Sequence, residues 1–276
     1  MKTKRVVFSH VTFRYREGGD PGSRALEVDD LHLDEGRRYL LTGHCGSGKT
    51  TLAMLLKGLV DPTSGNLRIV NSQQSLRAFQ RSIGFTFQFP EEQFFMETIA
   101  EEIAFGPTMC GVADTESRIR ESLASVGLPY EAFALQSPFE LSSGQKRRLG
   151  IATVIACCPS WYIFDEPTAG LDPEGKRIVV ELIAKLAEEG RTVLIITQEL
   201  GIFAQLCDEI IVLERGRVLV KTGTEAFFEN AGNDALRDSF PYHIRVLAAL
   251  REKGWDLPVS VLDPVAAAAK IAASIQ

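Results

Sequence analysis

From Val6 to Tyr15 apolar side chains partly alternate with polar ones, at Val6, Phe8, Val11 and Phe13, the two-residue period of a strand with one buried face. Gly18, Gly19, Pro21 and Gly22 then predict an exposed turn or hairpin loop. Ala25 to Leu33 reads as a second strand, Asp34-Glu35-Gly36 as a tight turn, and Arg38 to Thr42 as a short buried strand. A glycine-rich stretch follows, and Lys49 to Leu59 has helical character until Asp61-Pro62-Thr63-Ser64-Gly65 stops it. Residues 83 to 89 form another short apolar strand, broken by Pro90.

From about residue 95 to 158 the strand signals vanish. Thr98 can open a helix toward Phe105, and Asp114 can cap one through Ile119, Leu123 and Val126 that ends at Gly127. A third runs from Ser143 to Cys158, before Pro159. An all-helical block between two α/β portions predicts an inserted subdomain. The α/β pattern resumes with the strand Trp161 to Phe164, a helix from Pro173 to Glu189 stopped by Gly190, and the strand Thr192 to Thr197. Ile210 to Leu213 and Val218 to Lys221, joined by Glu214-Arg215-Gly216, predict a closing hairpin. Beyond Asp238 two helices are expected, starting at Pro241 and at Asp263-Pro264. That tail is too short for its own core and should pack on the main domain or on a partner.

Composition adds limits. The chain has 276 residues, 45% of them apolar and 24% charged, which suits a soluble globular protein with a sizeable core. A net charge of −6 supplies no general reason to expect nucleic acid as a partner. Five scattered cysteines lack the spacing of a paired-thiol metal site, and the odd number fits a reducing cytosolic compartment. The first residues do not read as a signal peptide, and no run of eighteen uncharged apolar residues exists to span a bilayer. Work at a membrane would require attachment to another subunit.

Two short stretches carry the chemistry. Gly43-His44-Cys45-Gly46-Ser47-Gly48-Lys49-Thr50 is a complete phosphate-binding loop, between the strand and helix that such a loop needs. Gly43, Gly46 and Gly48 allow backbone N–H groups, that of Ser47 included, to converge on an anion at a helix N-terminus. The motif assigns Lys49 to the β- and γ-phosphates, Thr50 to magnesium and Thr51 to the α-phosphate. Asp165 and Glu166 end an apolar strand. In that position one carboxylate suits water-mediated Mg²⁺ coordination and the other can polarise attacking water. A strand ending in Asp-Glu is also a common structural feature, and the phosphate loop is what turns it into a candidate site.

The order GHCGSGKTT at 43–51, Gln88, LSSGQ at 141–145, FDEPTAGLD at 164–172 and a strand ending in Thr197-Gln198 resembles the nucleotide-binding subunit of ABC transporters. The resemblance covers roughly residues 6 to 225. It implies an α/β fold of the ABC-type P-loop NTPase class, with a RecA-like core, an antiparallel β subdomain and a helical signature subdomain. The expected division is a nucleotide-binding domain over 1–237, its helical subdomain at about 95–158, and a C-terminal helical extension over 238–276. The resemblance also implies a head-to-tail dimer holding two ATP molecules, each between one chain's phosphate loop and the other's signature. Ser142, Gly144 and Gln145 would then meet the partner's γ-phosphate, a role that a serine and exposed amides at a helix start suit physically. Gln88 resembles the glutamine that senses magnesium and water, and Asp172 the residue that communicates across the dimer. Tyr15 resembles the aromatic that stacks on adenine, with cross-strand packing as its alternative.

Residues 85–95 and 98–107, FTFQFPEEQFF and TIAEEIAFGP, are similar to the ATPase subunits of energy-coupling factor transporters, including cobalt and nickel uptake systems. That family implies import of a vitamin or transition-metal ion through a transmembrane coupling subunit and a small substrate-binding membrane protein. It places the ATPase on the cytoplasmic face of the cell membrane. Phe94-Phe95 fits a surface for a coupling helix, and an internal role for the pair is the alternative. Two positions depart from the family pattern: Gln198, where histidine is usual, and Ser143, where glycine is commoner. Glutamine donates a hydrogen bond but carries no positive charge. The departures point to unequal sites, hence a heterodimer with a related ATPase, with a homodimer still open. The general motifs do not encode direction, so an exporter subunit, a soluble ABC ATPase or a non-hydrolysing ATP-binding module are the competing readings.

Overall fold

The structure is a computed structural model that describes residues 3–15, 25–231 and 240–274. The glycine-rich turn expected at residues 18–22 lies outside the described residues, as do residues 238–239 and 275–276 of the C-terminal extension. Two sheets organise the chain. A three-stranded antiparallel sheet has the order β2-β1-β4, formed by β1 (Arg5–Phe13), β2 (Leu26–Asp34) and β4 (Ser64–Val70). The partial alternation of β1 has a physical cause. Val6 and Phe8 point inward, His10 adopts a left-handed backbone at φ 49°, and Val11 and Phe13 resume inward after a one-residue shift. The paired strand shifts in step, burying Leu26, Val28, Leu31 and Leu33.

The second sheet has six strands in the order β5-β6-β7-β3-β8-β9. These are β5 (Ile83–Thr86), β6 (Trp161–Asp165), β7 (Thr192–Ile196), β3 (Arg38–Thr42), β8 (Glu209–Glu214) and β9 (Arg217–Gly223). All neighbours run parallel except β8 and β9, which form the expected hairpin. The parallel strands are buried on both faces, which explains their continuous apolar runs. Tyr39, Leu41, Trp161, Ile163, Leu194 and Ile196 face the antiparallel sheet and α1 (Lys49–Lys57). Leu40, Tyr162, Phe164, Val193 and Ile195 face the helices on the other side.

Between β5 and β6 the chain is helical, with α3 (Ile99–Met109), α4 (Thr115–Ser125), α5 (Tyr130–Phe133) and α6 (Ser143–Ala156). Thr98 and Glu101 close a reciprocal capping box on α3. Asp114 caps α4 by accepting from Ser117 N, and Gly127 follows at φ 67°. The helix α7 (Pro173–Glu188) crosses from β6 to β7. The chain closes with α8 (Leu200–Phe203), α9 (Thr224–Glu229), α10 (Tyr242–Glu252) and α11 (Pro264–Ala273). Phe240, Ile244, Leu247 and Leu262 of the tail join Leu200, Phe203, Phe227 and Phe228 in one apolar cluster.

Two elements have no counterpart in the sequence reading. β4 begins at Ser64, inside the segment 61–65 whose residues predict only a helix stop, and α2 (Leu76–Arg81) follows it. β4 is an edge strand that buries only Leu67, and α2 has six residues with only Phe79 buried, so neither leaves a clear period. The apolar run at 83–89 is a strand only to Thr86, and the strand expected to reach Tyr15 ends at Phe13. Among the described residues no helix is long and apolar enough to cross a membrane.

Candidate functional site

Parallel register brings the C-terminal ends of β3, β6 and β7 to one sheet edge. That is where open α/β sheets bind ligands. From β3 the chain enters the phosphate loop, from β6 it delivers Asp165 and Glu166, and from β7 it delivers Thr197 and Gln198. Two glycines shape the loop. Gly43 has φ 142° and a Cβ there would overlap the Leu213 carbonyl; Gly48 has φ 101° and a Cβ would lie 2.7 Å from the Ala25 carbonyl oxygen. A side chain at either position would push the loop off its supports.

Lys49 opens α1 and is buried, its ammonium donating to the carbonyls of Gly43 at 2.7 Å and His44 at 2.9 Å. Burial pushes its pKa down, opposed by the charges of Glu166 and Asp165. Thr50 Oγ1 donates to Asp165 Oδ2 at 2.7 Å. Burial pushes the Asp165 carboxyl above its ordinary range, against the Thr50 hydrogen bond and the charges of Lys49 and Arg147. Glu166 has a left-handed backbone at φ 49°, a costly conformation for a non-glycine residue, and its N–H donates to the Ile196 carbonyl at 2.8 Å. Burial also raises its carboxyl, partly offset by a hydrogen bond from Thr197 Oγ1 to Oε2 at 3.0 Å. A carboxylate with raised proton affinity suits a general base.

The arrangement fits a nucleoside triphosphate. Ser47 Oγ is buried within the loop and has no hydrogen-bond partner among the described residues, which suits a donor to a bound anion. The paired oxygens of Thr50 and Asp165 suit a hard divalent cation. Among the described residues no group of three or more His, Cys, Asp or Glu could hold a metal alone. Thr50 and Asp165 are the residues that would hold a magnesium ion there.

The remaining expected residues sit at different distances from this cluster. Thr51 Oγ1 shares a 3.0 Å hydrogen bond with the hydroxyl of Tyr15, whose ring packs edge-on against Phe13 yet is 59% exposed. Tyr15 thus has both the packing contact and a free face. Gln198 is exposed between anchored neighbours, and Gln88 is exposed beyond β5. The β5–β6 register pairs Thr86 with Phe164, which puts Gln88 at the same edge as Asp165. Ser142, Gly144 and Gln145 stand apart at the start of α6. There Ser142 Oγ accepts from Gln145 N, Gln145 Oε1 accepts from Ser142 N, and among the described residues no hydrogen bond joins them to the phosphate loop. Asp172 caps α7 by accepting from Gly175 N at 2.7 Å.

The aromatic pair needs correction. Phe94 is buried in the main apolar cluster, while Phe95 is 58% exposed and meets Phe105 edge-on at 5.0 Å. Only Phe95 can belong to a surface. Phe94 follows the 3₁₀ turn Pro90–Gln93 with an extended backbone, in which consecutive side chains point to opposite sides.

Sequence reasoning missed a second tier of residues. Thr197, fully buried, links Glu166 to the backbone N–H of Glu199. Glu199 in turn binds Thr168 and Lys176. Arg147 of α6 donates to the Glu166 carbonyl at 3.2 Å. The polar ends of two otherwise apolar strands were the available signal. A cavity of about 660 Å³ flanks the site, walled by Gly43, His44, Gln198, Gly201, His243 and Leu262, so the C-terminal segment reaches the edge of the phosphate loop.

The family described as ABC transporter matches residues 26–169. The energy-coupling factor transporter ATP-binding protein EcfA2 of Symbiobacterium thermophilum is 37% identical over 274 residues, covering 96% of this chain and 95% of that protein. CbiO1 of Clostridium perfringens, described as part of the ABC transporter complex cbiONQ, superposes with a TM-score of 0.68 at 27% identity, over 91% of this chain and all of that one. The dimeric ATP-binding cassette MJ0796, in a post-hydrolysis state with ADP and phosphate, gives 0.69 at 28% identity over 79% of this chain and 98% of that one.

Proposed function

Because the chain belongs to the ABC transporter ATPases, in their energy-coupling factor branch, we propose that Lys49, Thr50, Asp165 and Glu166 form its ATP-hydrolysing site. The protein is an ATP-binding and ATP-hydrolysing subunit that energises an energy-coupling factor importer. The single observation that carries the site is the junction at the sheet edge. Thr50 and Asp165 meet at 2.7 Å while Glu166, next in sequence, is held by Thr197.

Lys49 binds the β- and γ-phosphates, released from its own loop carbonyls, and Ser47 and the loop amides complete the cradle. Thr51 lies at the α-phosphate and the free face of Tyr15 under the adenine. Thr50 and Asp165 would hold magnesium, which when bound would neutralise charge on the phosphate oxygens. Glu166 orients and deprotonates the attacking water, with Gln88 and Gln198 as neutral hydrogen-bonding groups around it. Ser142, Gly144 and Gln145 serve the ATP of the opposite subunit, a role supported by their place at the start of α6, where a helix N-terminus suits an anion.

The assembly we propose is a head-to-tail heterodimer with a related ATPase that keeps the usual histidine. It binds a transmembrane coupling subunit and a small substrate-binding membrane subunit, at the cytoplasmic face. Phe95 and Phe105, exposed on the segment that resembles the energy-coupling branch, belong to the coupling surface. Residues 238–276 act as a dimerisation and packing extension to the nucleotide-binding domain, and the helical block at 95–158 as its signature subdomain. The cargo is a vitamin or a transition-metal ion.

The test uses the purified complex with the partner ATPase's site silenced. Lys49→Ala should weaken MgATP binding at least tenfold. Glu166→Gln should leave binding near the wild-type value and cut turnover about a hundredfold, the scale of losing one key group in a preorganised site. Unchanged turnover in Glu166→Gln would remove Glu166 from its assigned role.

A further inference from the structure

The segment carrying Gln198 is tied down on both sides. On one side Thr197 Oγ1 donates to Glu166 Oε2 at 3.0 Å. On the other, Glu199 sends its two carboxylate oxygens to different places. Oε2 accepts from Thr168 Oγ1 at 2.6 Å and Oε1 accepts from Lys176 Nζ at 2.5 Å. Thr168 is fully buried in the turn that leads from Glu166 to Asp172, and Lys176 stands on the first turn of α7, four residues beyond its cap Asp172. The backbone of that turn is itself stitched together, Ala169 N–H to the Glu166 carbonyl and Leu171 N–H to the Thr168 carbonyl, both at 3.2 Å. Lys176 N–H also donates to the Asp172 carbonyl at 2.9 Å. One carboxylate therefore joins two chain segments that both begin at reacting groups.

We propose that Glu199 is a positioning residue, a clamp that fixes Gln198 relative to Glu166 by binding the Glu166–Asp172 turn through Thr168 and Lys176. The proposal deepens the reading of Glu166 and Gln198 given above and rests on it. Its physical content is a division of labour. Glu199 lies outside the cluster of Lys49, Ser47 and Thr50, so it contributes little to holding nucleotide. It determines instead whether Gln198 stands over the site when the water attacks, because a flexible exposed side chain gains orientation only from a fixed backbone. It also ties that orientation to the Asp172 turn, so any displacement of the turn by a neighbouring subunit is transmitted to Gln198. The Lys176–Glu199 pair is about one-third exposed on each side, so its fold-stabilising value is small and positioning is the larger effect.

The experiment measures kcat and KM for MgATP in the purified complex, with the partner ATPase's site silenced, for wild type, Glu199→Ala, Lys176→Met, the double variant and Lys176→Arg. Glu199→Ala should lower kcat at least tenfold with KM within twofold, and Lys176→Met should lower it less. The double variant should be no slower than Glu199→Ala alone, since both act through one contact. Lys176→Arg, which keeps the charge and the donor, should restore most of the rate. Thermal melting checks that each variant is folded at the assay temperature. A kcat within twofold of wild type for both single variants, additive losses in the double, or a rise in KM at constant kcat would each overturn the clamp. If the wild-type complex shows no turnover that depends on Glu166, the underlying assignment of the site fails instead.

Discussion

Thr197→Val tests how tightly the proposed base is held. Thr197 is fully buried at the end of β7, donates to Glu166 Oε2 at 3.0 Å and accepts from Glu199 N–H at 3.0 Å. Valine keeps the shape and deletes both bonds. A hydrogen bond to an ionised group is worth about 1.5–3 kcal/mol. If about 2 kcal/mol of that restraint is used in the reaction, kcat falls about thirtyfold, since each 1.36 kcal/mol is tenfold. KM should change little, because the hydroxyl is committed to Glu166 and Glu199. The pH dependence has a definite sign. Burial already raises the Glu166 carboxyl and the Thr197 bond opposes it, so removing the bond raises it further. A base with a raised pKa needs a higher pH to be unprotonated, so the acid limb of the kcat profile should move to higher pH. Steady-state turnover across mildly acidic to mildly alkaline buffers, with Thr197→Ser as a hydroxyl-retaining control, reads both effects. An unmoved acid limb with wild-type kcat, or a serine variant as slow as the valine one, would show that the Thr197 hydroxyl does not restrain Glu166.

A Cβ at Gly150 would overlap the Pro90 ring, so Gly150→Ala should force α6 away from the segment that follows Gln88 and cost about 1–3 kcal/mol. Urea unfolding measures it, and a change under about 0.5 kcal/mol would mean that the contact is soft. In the nucleotide-free protein the folded carboxyl of Glu166 is raised, so its contribution to stability is present below the unfolded pKa and lost as pH rises through the folded value. Glu166→Gln should therefore melt above wild type at neutral pH, with the gap closing in acid, and a gap independent of pH would contradict this. Gln198→His should raise turnover at this chain's site when the partner site is silenced, and an unchanged or lower rate would argue that the exposed glutamine is not limiting.

The parts of the fold that the residues announce are those set by short-range pattern. The phosphate loop lies between a buried strand and a helix, the capping boxes begin at Thr98 and Ser142, and Asp165 ends the five-residue strand β6, with Glu166 next after it. What escaped depends on contacts across the chain. Thr197 reaches a residue 31 positions away and Lys176 one 23 positions away, and neither threonine nor lysine is unusual where it stands. β4 was missed because an edge strand with one buried residue has no alternation to read. Phe94 and Phe95 are equivalent by composition, and which of them enters the core depends on packing that two adjacent identical residues do not reveal. The Glu199 clamp is a product of the parallel register of β6 and β7, which aligns the two segments that it joins.

ATP-driven uptake into sealed vesicles tests whether this chain powers import, using its purified complex with the partner ATPase and membrane subunits. Cargo should accumulate only with MgATP on the ATPase side, and Glu166→Gln in this chain, with the partner site silenced, should abolish accumulation. ATP turnover without accumulation, cargo movement in the opposite direction, or uptake undiminished by Glu166→Gln would contradict that role.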